Sequence, residues 1–265
     1  MKKTSKIYLG LVYLFLYAPI LVLIVFSFNE SKSKSNFSGF SLRWYETLLE
    51  DELIMSSLLN TLVLALISSI IATIIGTLAA IGIYSMKKKR TRTAIMTVTN
   101  FPMVNPEVVT GVSMMLLFVF IASAIGLEQG FYSVLVAHIT FNLPYVILNV
   151  LPKLWQFNPN IYEAAQDLGC TSRQAFFKVV LPEIMPGIFS GFLMAVTLSL
   201  DDFLISYFTS GSDFQTLPVT IYSMLRKQVP LSLNALSTIM FVVVLVILVV
   251  SNISAIKKEK AERQR

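Results

Sequence analysis

The chain is poor in the residues that carry most metal and redox chemistry. Its 265 residues include a single cysteine, Cys170, and a single histidine, His138. One cysteine cannot form an internal disulfide, and neither residue sits in a cluster with the spacing of metal ligands. The sequence therefore predicts no metal site. We interpret His138, which lies in an apolar stretch near Thr140 and Asn142, as a hydrogen-bonded packing residue.

A phosphate-binding loop is also missing. No Gly-x-x-x-x-Gly-Lys-Ser/Thr pattern occurs in the chain, and that pattern is what cradles nucleotide phosphates in a large class of ATPases. The chain is therefore expected to carry no cofactor, and a nucleotide that drives its function would have to bind a partner.

Charge is scarce and hydrophobic residues are abundant. Charged residues make up 14% of the chain and hydrophobic residues 55%, and the mean hydropathy is +0.72. This is too apolar for a soluble domain of such length, and the long runs lack the alternation of membrane-barrel strands. The sequence predicts an all-α, polytopic membrane protein with six transmembrane helices. The predicted spans are Ile7–Phe28, Leu58–Tyr84, Ala94–Ala124, Phe131–Leu151, Ile184–Phe208 and Ala235–Ile256.

The distribution of lysine and arginine predicts the orientation. With six spans, sixteen of the 21 basic residues fall on the side that holds both termini, and the positive-inside rule places that side in the cytoplasm. The same rule explains the excess of positive charge, so nucleic acid is not expected as a partner. The densest basic cluster, residues 87–92, is expected to meet anionic lipid headgroups. The first apolar run is too long for a signal peptide and is expected to stay as a helix.

A polar segment between the fourth and fifth predicted spans carries helix-boundary signals. Asn158 can cap a helix that stops at Gly169, a residue that tolerates a left-handed turn. Thr171 can cap a second helix, and Pro182 is expected to end it. The segment thus predicts a short helix–turn–helix on the cytoplasmic side of the membrane.

In this segment the chain resembles the permease subunits of ATP-binding-cassette (ABC) importers. The cytoplasmic signature of that family is Glu-Ala-Ala, three residues, Gly, nine residues and Ile-x-Leu-Pro, and here Val179 replaces the Ile. The residues in register are Glu163, Ala164, Ala165, Gly169, Leu181 and Pro182. The resemblance implies a type I ABC-importer permease fold, one transmembrane domain over residues 1–265, and ATPase-coupling helices at about 158–182. An ordinary cytoplasmic hairpin is the alternative.

Three carboxylates lie within the predicted spans: Glu107, Asp201 and Asp202. Each costs about 2.5–3.5 kcal/mol at the centre of a bilayer, and no lysine or arginine within the spans can neutralise them. Glu107 has an alternative role in the first turn of a helix, where the dipole favours an acid. Asp201 and Asp202 are about 100° apart on a helix, so one can bond to a neighbouring helix while the other lines a path.

The third predicted span contains Pro102, Asn105 and Pro106, and a helix broken there predicts a cavity at that depth. Uncompensated carboxylates in such a cavity suit a cation. Tyr145, Phe203 and Tyr207 can add cation–π contacts to an amine.

The acidic segment extends the resemblance to spermidine/putrescine importer permeases, and the likeness covers nearly the whole chain. It rests on residues 41–45, 198–203, 209–211, 217–226 and 234–238. Within the first of these, Trp44 is assigned to the substrate path, with a membrane anchor as its alternative role.

The resemblance implies a multi-pass subunit of a bacterial cytoplasmic membrane that moves polyamines by alternating access. Its implied partners are a second permease in a heterodimer, two ATP-binding subunits with ATP and Mg²⁺, and an extracytoplasmic polyamine-binding protein. The chain itself is not expected to be an enzyme, so no catalytic residues are assigned.

Other functions stay open on the residues alone. The same type of permease can carry another solute, such as ferric ion, an organic phosphonate or another small molecule, although an anion would need basic residues in the path. An intramembrane aspartyl hydrolase would need two carboxylates converging from separate elements, which leaves Glu107 with either aspartate as a remote option. A scaffold without transport is disfavoured by the internal charges.

We predict that the chain alone neither hydrolyses ATP nor transports solute, because it lacks a phosphate-binding loop. The measurement is uptake and ATP hydrolysis in liposomes that contain the purified chain, compared with liposomes that contain all implied partners. Uptake by the chain alone would contradict the prediction.

Overall fold

A computed structural model of the protein describes residues 3–31, 36–104, 106–126, 129–227, 231–242 and 245. Within these ranges the regular structure is helical, apart from one isolated antiparallel bridge between Asn29 and Phe40. The all-α class is confirmed. The helices are α1 (Lys3–Ser27), α2 (Arg43–Glu50), α3 (Glu52–Ser85), α4 (Lys89–Val104), α5 (Glu107–Ile125), α6 (Phe131–Gln156), α7 (Pro159–Asp167), α8 (Ser172–Ala175), α9 (Leu181–Asp201), α10 (Leu204–Thr209), α11 (Leu217–Lys227) and α12 (Ser232–Val242).

Five stretches of the described chain are long and apolar enough to cross a membrane. They are Tyr8–Ser27, Glu52–Ser85, Glu107–Ala124, Phe131–Gln156 and Ser172–Asp201. Three of the six predicted spans, the first, second and fourth, thus correspond to one apolar helix or to most of one. For the sixth, the described residues give the shorter apolar helix α12, and most of the predicted range 235–256 lies outside the described residues.

The third predicted span, Ala94–Ala124, is divided into two helices, as its prolines predict. The chain forms α4 up to Val104 and begins α5 at Glu107, with Pro106 in an extended conformation before it. Proline disfavours a helical residue before it and lacks the N–H that would continue the hydrogen-bond ladder. The predicted break is therefore confirmed; Asn105 lies outside the described residues.

The fifth predicted span, Ile184–Phe208, is also interrupted, and this interruption was not predicted. Helix α9 ends at Asp201, Asp202 is extended with φ −65° and ψ 122°, and α10 begins at Leu204. The Asp202 carboxylate accepts hydrogen bonds from the backbone N–H groups of Ile205 (3.3 Å) and Ser206 (2.8 Å). A short acidic side chain that bonds to nearby backbone in this way competes with helix continuation.

The expectation that Pro182 ends the second cytoplasmic helix is wrong. A π-helical turn, Phe176–Val180, joins α8 to α9, so the helix continues from Ser172 to Asp201. The Leu181 N–H donates across this turn to the Phe176 carbonyl. A π turn widens the helix locally, which accommodates a proline that lacks an N–H at the following position.

The chain divides into two compact units, residues 1–55 with 221–265 and residues 56–220. In the first unit, the Trp44 indole N–H donates to the Asn29 carbonyl at 2.6 Å, and the Ser27 hydroxyl lies 2.8 Å from the Tyr45 hydroxyl. These bonds fasten the start of α2 to the end of α1.

The second unit is built on close helix contacts at small residues. A Cβ on Gly191 would lie 3.3 Å from the Val146 Cα, and one on Gly187 would lie 2.8 Å from the Asn149 carbonyl oxygen. Helices α6 and α9 are therefore antiparallel and nearly in backbone contact. On α3, a Cβ on Gly76 would lie 2.7 Å from a methyl group of Val146.

Helices α3 and α6 run parallel. Leu64 shares a buried cluster with Val134, and Gly76 meets Val146, so both pairs lie 70 residues apart in sequence. Helix α6 is thus enclosed by α3 on one side and α9 on another. Its buried residues include Val134, Ala137, His138 and Asn142.

We predict that Gly187→Ala destabilises the protein whereas Gly82→Ala does not. The new methyl group at Gly187 would meet a backbone carbonyl at 2.8 Å, while a Cβ on Gly82 would have nothing within 4 Å. Overpacking of this kind costs about 1–3 kcal/mol, and alanine in an open helical position is favoured over glycine. The measurement is the apparent melting temperature of both variants in detergent. Equal melting temperatures would contradict the proposed backbone contact.

Candidate solute cavity

A cavity of about 340 Å³ lies where the two interrupted spans meet. Five of the seven residues predicted for a solute path line it together: Glu107, Tyr145, Asp201, Asp202 and Phe203. Its other lining residues are Thr110, Phe141, Thr197, Leu198, Leu204 and Ile205. The wall is therefore acidic at three points and aromatic at three, with no lysine or arginine among these residues.

Both helix breaks contribute to the cavity wall. Glu107 is the first residue of α5, immediately after the break at Pro106. Asp201 and Asp202 lie at the break between α9 and α10. The two breaks face each other because α5 and α10 pack closely: a Cβ on Gly111 would lie 2.8 Å from Phe208 and 3.3 Å from the Leu204 carbonyl oxygen.

Glu107 and Asp201 are the exposed carboxylates of the cavity. Within the described part of the chain, neither side chain has an ion-pair or hydrogen-bond partner. Glu107 occupies the first turn of α5, which is the alternative placement that the sequence allows, and a helix N-terminus favours an acid there. The two placements are compatible, since the same residue both begins the helix and lines the cavity.

Asp202 differs from the other two carboxylates because it has a basic neighbour that the sequence analysis missed. Its Oδ2 lies 3.4 Å from Nε2 of His138, and its side chain is only 6% exposed. The idea that Asp201 and Asp202 share one helix is also wrong, because α9 ends between them. His138 lies far from Asp202 in sequence. The one local signal for such a partner is the pair Ser199 and Ser206, polar residues on either side of Asp202 in an otherwise apolar segment.

His138 is a buried, hydrogen-bonded residue, as predicted, and its partners lie on other helices. Its Nδ1 lies 2.6 Å from Ser199 Oγ, and its Nε2 lies 3.0 Å from Ser206 Oγ. Ser199 Oγ in turn lies 3.1 Å from Ser68 Oγ on α3. One buried network thus connects α3, α6, α9 and α10 next to the cavity.

The two remaining path residues do not line the cavity. Tyr207 lies on α10, with its ring 5.5 Å from that of Phe203, so it supports a lining residue. Trp44 belongs to the first unit, where its indole N–H bonds to Asn29. The assignment of either residue to a path stays a prediction.

The signature segment forms the predicted helix–turn–helix apart from its end. The Asn158 side chain accepts from Asn160 N–H at 3.1 Å and caps α7. Gly169 has φ +90°, in the left-handed region that favours glycine. Thr171 and Gln174 form the predicted capping box.

Helix α7 exposes the face that carries the signature. It has no buried residue, and Glu163 and Ala164 are exposed. Three apolar side chains of the same cytoplasmic segment are also exposed: Ile161 at 51%, Leu168 at 88% and Phe177 at 62%. A segment that exposes several large apolar side chains is typical of a protein contact. In the described residues, no three His, Cys, Asp or Glu side chains converge as a metal site requires.

Comparison with known proteins identifies the class. The family model described as "Binding-protein-dependent transport system inner membrane component" matches residues 72–256. The chain therefore belongs to this family of multi-pass membrane permease subunits, which are not enzymes themselves.

Two curated relatives are similar over most of their length. The putrescine transport system permease protein PotI of Escherichia coli K12 is 40% identical over 232 residues, which is 87% of this chain and 83% of the relative. The spermidine/putrescine transport system permease protein PotC of Haemophilus influenzae is 35% identical over 236 residues, or 89% of this chain and 90% of the relative.

Solved structures share the fold. A bacterial alginate ABC transporter in complex with an alginate pentasaccharide-bound periplasmic protein matches with a TM-score of 0.68 and 19% identity, over 93% of this chain and 91% of that chain. A bacterial ABC transporter involved in alginate import matches with a TM-score of 0.67 and 15% identity, over 96% of this chain and 97% of that chain. The ABC-importer permease fold is confirmed.

Proposed function

We propose that this chain is a permease subunit of an ATP-driven importer of polyamines such as putrescine and spermidine. The observation that carries the proposal is the cavity, in which the exposed carboxylates of Glu107 and Asp201 stand among aromatic walls. A polyamine is a flexible chain of ammonium groups and methylenes, so carboxylates match its charges and rings match its apolar links. The similarity to putrescine and spermidine/putrescine permeases supports the same solute class.

The cavity chemistry disfavours anionic solutes. No lysine or arginine lines it, and two of its three carboxylates have no partner within the described residues. An organic phosphonate would meet repulsion from this wall and would find no cation to bind. Carboxylates that stay ionised at membrane depth need a cation nearby, and a polyamine supplies one during transport.

The proposed assembly has this chain as one half of a permease heterodimer in the bacterial cytoplasmic membrane, with both termini in the cytoplasm. Two ATP-binding subunits, holding ATP and Mg²⁺, would dock on α7 and its exposed apolar neighbours. An extracytoplasmic polyamine-binding protein would deliver the solute. Closure of the ATPases would push α7 and α8, and the continuous helix from Ser172 to Asp201 would carry the movement to the cavity.

We predict that Glu107→Gln and Asp201→Asn each raise the KM for polyamine uptake at least tenfold. Tenfold corresponds to a loss of about 1.4 kcal/mol of binding free energy. The substitutions keep side-chain shape and remove a charge, so membrane insertion should not suffer. The measurement is uptake of radiolabelled putrescine and spermidine at matched expression.

The control for these variants is Asp213→Asn, which removes an exposed carboxylate that is not part of the cavity. It should leave the KM within twofold of the parent value. If both cavity variants transport like the parent, the carboxylates are structural and the polyamine proposal loses its main physical support.

We predict that Glu163→Lys and Gly169→Pro uncouple transport from ATP hydrolysis while the protein stays in the membrane. Charge reversal alters the exposed face of α7. Proline cannot adopt φ +90° and removes the N–H that donates to the Gln166 carbonyl at 2.9 Å. The measurements are co-purification with the ATPase and solute-stimulated ATP hydrolysis in proteoliposomes. Glu183→Lys, an exposed charge reversal outside the signature, is the control; normal coupling in both test variants would exclude α7 from this role.

A further inference from the structure

The buried imidazole of His138 bridges the two sides of the break in the fifth span. His138 lies on α6 with no exposed surface. Its Nδ1 contacts Ser199, on α9 before the break, and its Nε2 contacts Ser206, on α10 after the break. With both ring nitrogens bonded, the orientation of the ring is fixed. The separation between the end of α9 and the start of α10 is therefore set by one side chain from a third helix.

The Asp202 carboxylate already has partners within this chain. Oδ1 accepts from Ile205 N–H, and Oδ2 accepts from Ser206 N–H and lies 3.4 Å from His138 Nε2. In a bilayer, the N–H groups at the start of α10 have no water to bond to, so these bonds cannot be given up without cost. A solute cation that drew Asp202 towards it would leave these groups unpaired.

Asp202 and His138 therefore have a different role from Glu107 and Asp201, which are exposed and lack partners within the described residues. We propose that His138 is a positioning residue. By holding Asp202 and Ser206 at the break, it fixes the position of the first turn of α10. Glu107 and Asp201 are then the two carboxylates that contact the solute. The identity of the solute rests on the proposed function, whereas the positioning of the break does not.

Two solute-facing carboxylates from different helices match two ammonium groups. Glu107 comes from α5 and Asp201 from the end of α9. The proposal therefore assigns the cavity to a dicationic segment of the solute, two amines joined by methylenes. Asp202 contributes no contact to the solute, although it borders the same space.

Two isosteric substitutions separate positioning from packing. In His138→Gln the amide reaches the place of Nε2, next to Asp202 and Ser206. In His138→Asn the amide reaches only the place of Nδ1, next to Ser199. Asparagine is one methylene shorter than glutamine and leaves a larger void at this buried site. His138→Met, which fills about the volume of glutamine without an amide, is therefore the packing control. It should behave like His138→Asn if His138 positions the break, and like His138→Gln if His138 only fills space.

Cysteine labelling reports the position of the break without any need for transport. Cys170 is the one cysteine of the sequence, so Cys170→Ser provides a thiol-free background. Leu204→Cys places a reporter on α10 after the break, and Thr197→Cys places a matched reporter on α9 before it; both positions line the cavity. The reagent is a small, water-soluble, positively charged methanethiosulfonate, applied to membrane vesicles that contain the complete transporter.

We expect His138→Asn to raise the labelling rate of the Leu204→Cys reporter at least fivefold and His138→Gln to change it less than twofold. The Thr197→Cys reporter should change less than twofold in both. Equal effects of the two His138 variants, or no effect of either, would overturn the proposal. Should His138→Asn fail to accumulate, Ser206→Ala serves in its place, and unchanged labelling of the Leu204→Cys reporter there would overturn the proposal too.

A separate arm measures putrescine uptake by the parent and by both His138 variants. Uptake in the His138→Gln variant should stay within threefold of the parent, and the maximal rate of the His138→Asn variant should fall at least tenfold. Equal rates in the two variants would again overturn the positioning role. A parent that takes up no polyamine would refute the proposed function while the labelling result still decides the role of His138.

Discussion

The structure depends on how interrupted membrane helices satisfy their own backbone. Hydrocarbon offers no hydrogen-bond partner, so every helix end within it needs one from the protein. At the break between α9 and α10, Asp202 supplies two such bonds and is itself held next to His138. The cavity exists because α9 stops there, and it is acidic because the chain places Asp201 and Asp202 at that point.

Small residues make the arrangement possible. Gly187 and Gly191 let α9 lie almost on the backbone of α6, and Gly111 lets α5 approach α10. Helices this close enclose polar side chains that would otherwise face lipid. Within the described chain, Asn142 on α6 and the hydroxyls of Thr73 and Thr77 on α3 are buried without a hydrogen-bond partner. Groups of this kind cost about 1–3 kcal/mol each, so packing rather than polar bonding holds α3 against α6.

Much of the fold could be predicted from the sequence because its signals are local. A membrane span is recognised from the length of an apolar run, and a helix cap from residues next to one another in the sequence. Apolar length located five of the spans, and the caps at Asn158 and Thr171 lie where the sequence places them. The π turn before Pro182 could not be predicted in the same way. A proline either stops a helix or is accommodated by it, and the surrounding packing decides between the two.

The acidic and aromatic residues of the cavity could be predicted because charge at membrane depth is rare enough to stand out. The role of Asp202 could not, since it depends on His138, and the two meet only when α6 packs against α9 and α10. Distance in sequence hides such a pair, and a lone histidine has a commoner explanation as a packing residue. The structure shows that both descriptions hold, because His138 is buried and also bonded across the break.

The parallel pairing of α3 with α6 also constrains the order of assembly during synthesis. Gly76 meets Val146, a residue made 70 positions later. At about 5–20 residues per second, a ribosome needs roughly 4–14 s to cover that interval. Throughout it, the small surface of α3 at Gly76 has no α6 to pack against. The close contact between α3 and α6 therefore forms several seconds after α3 has been synthesised.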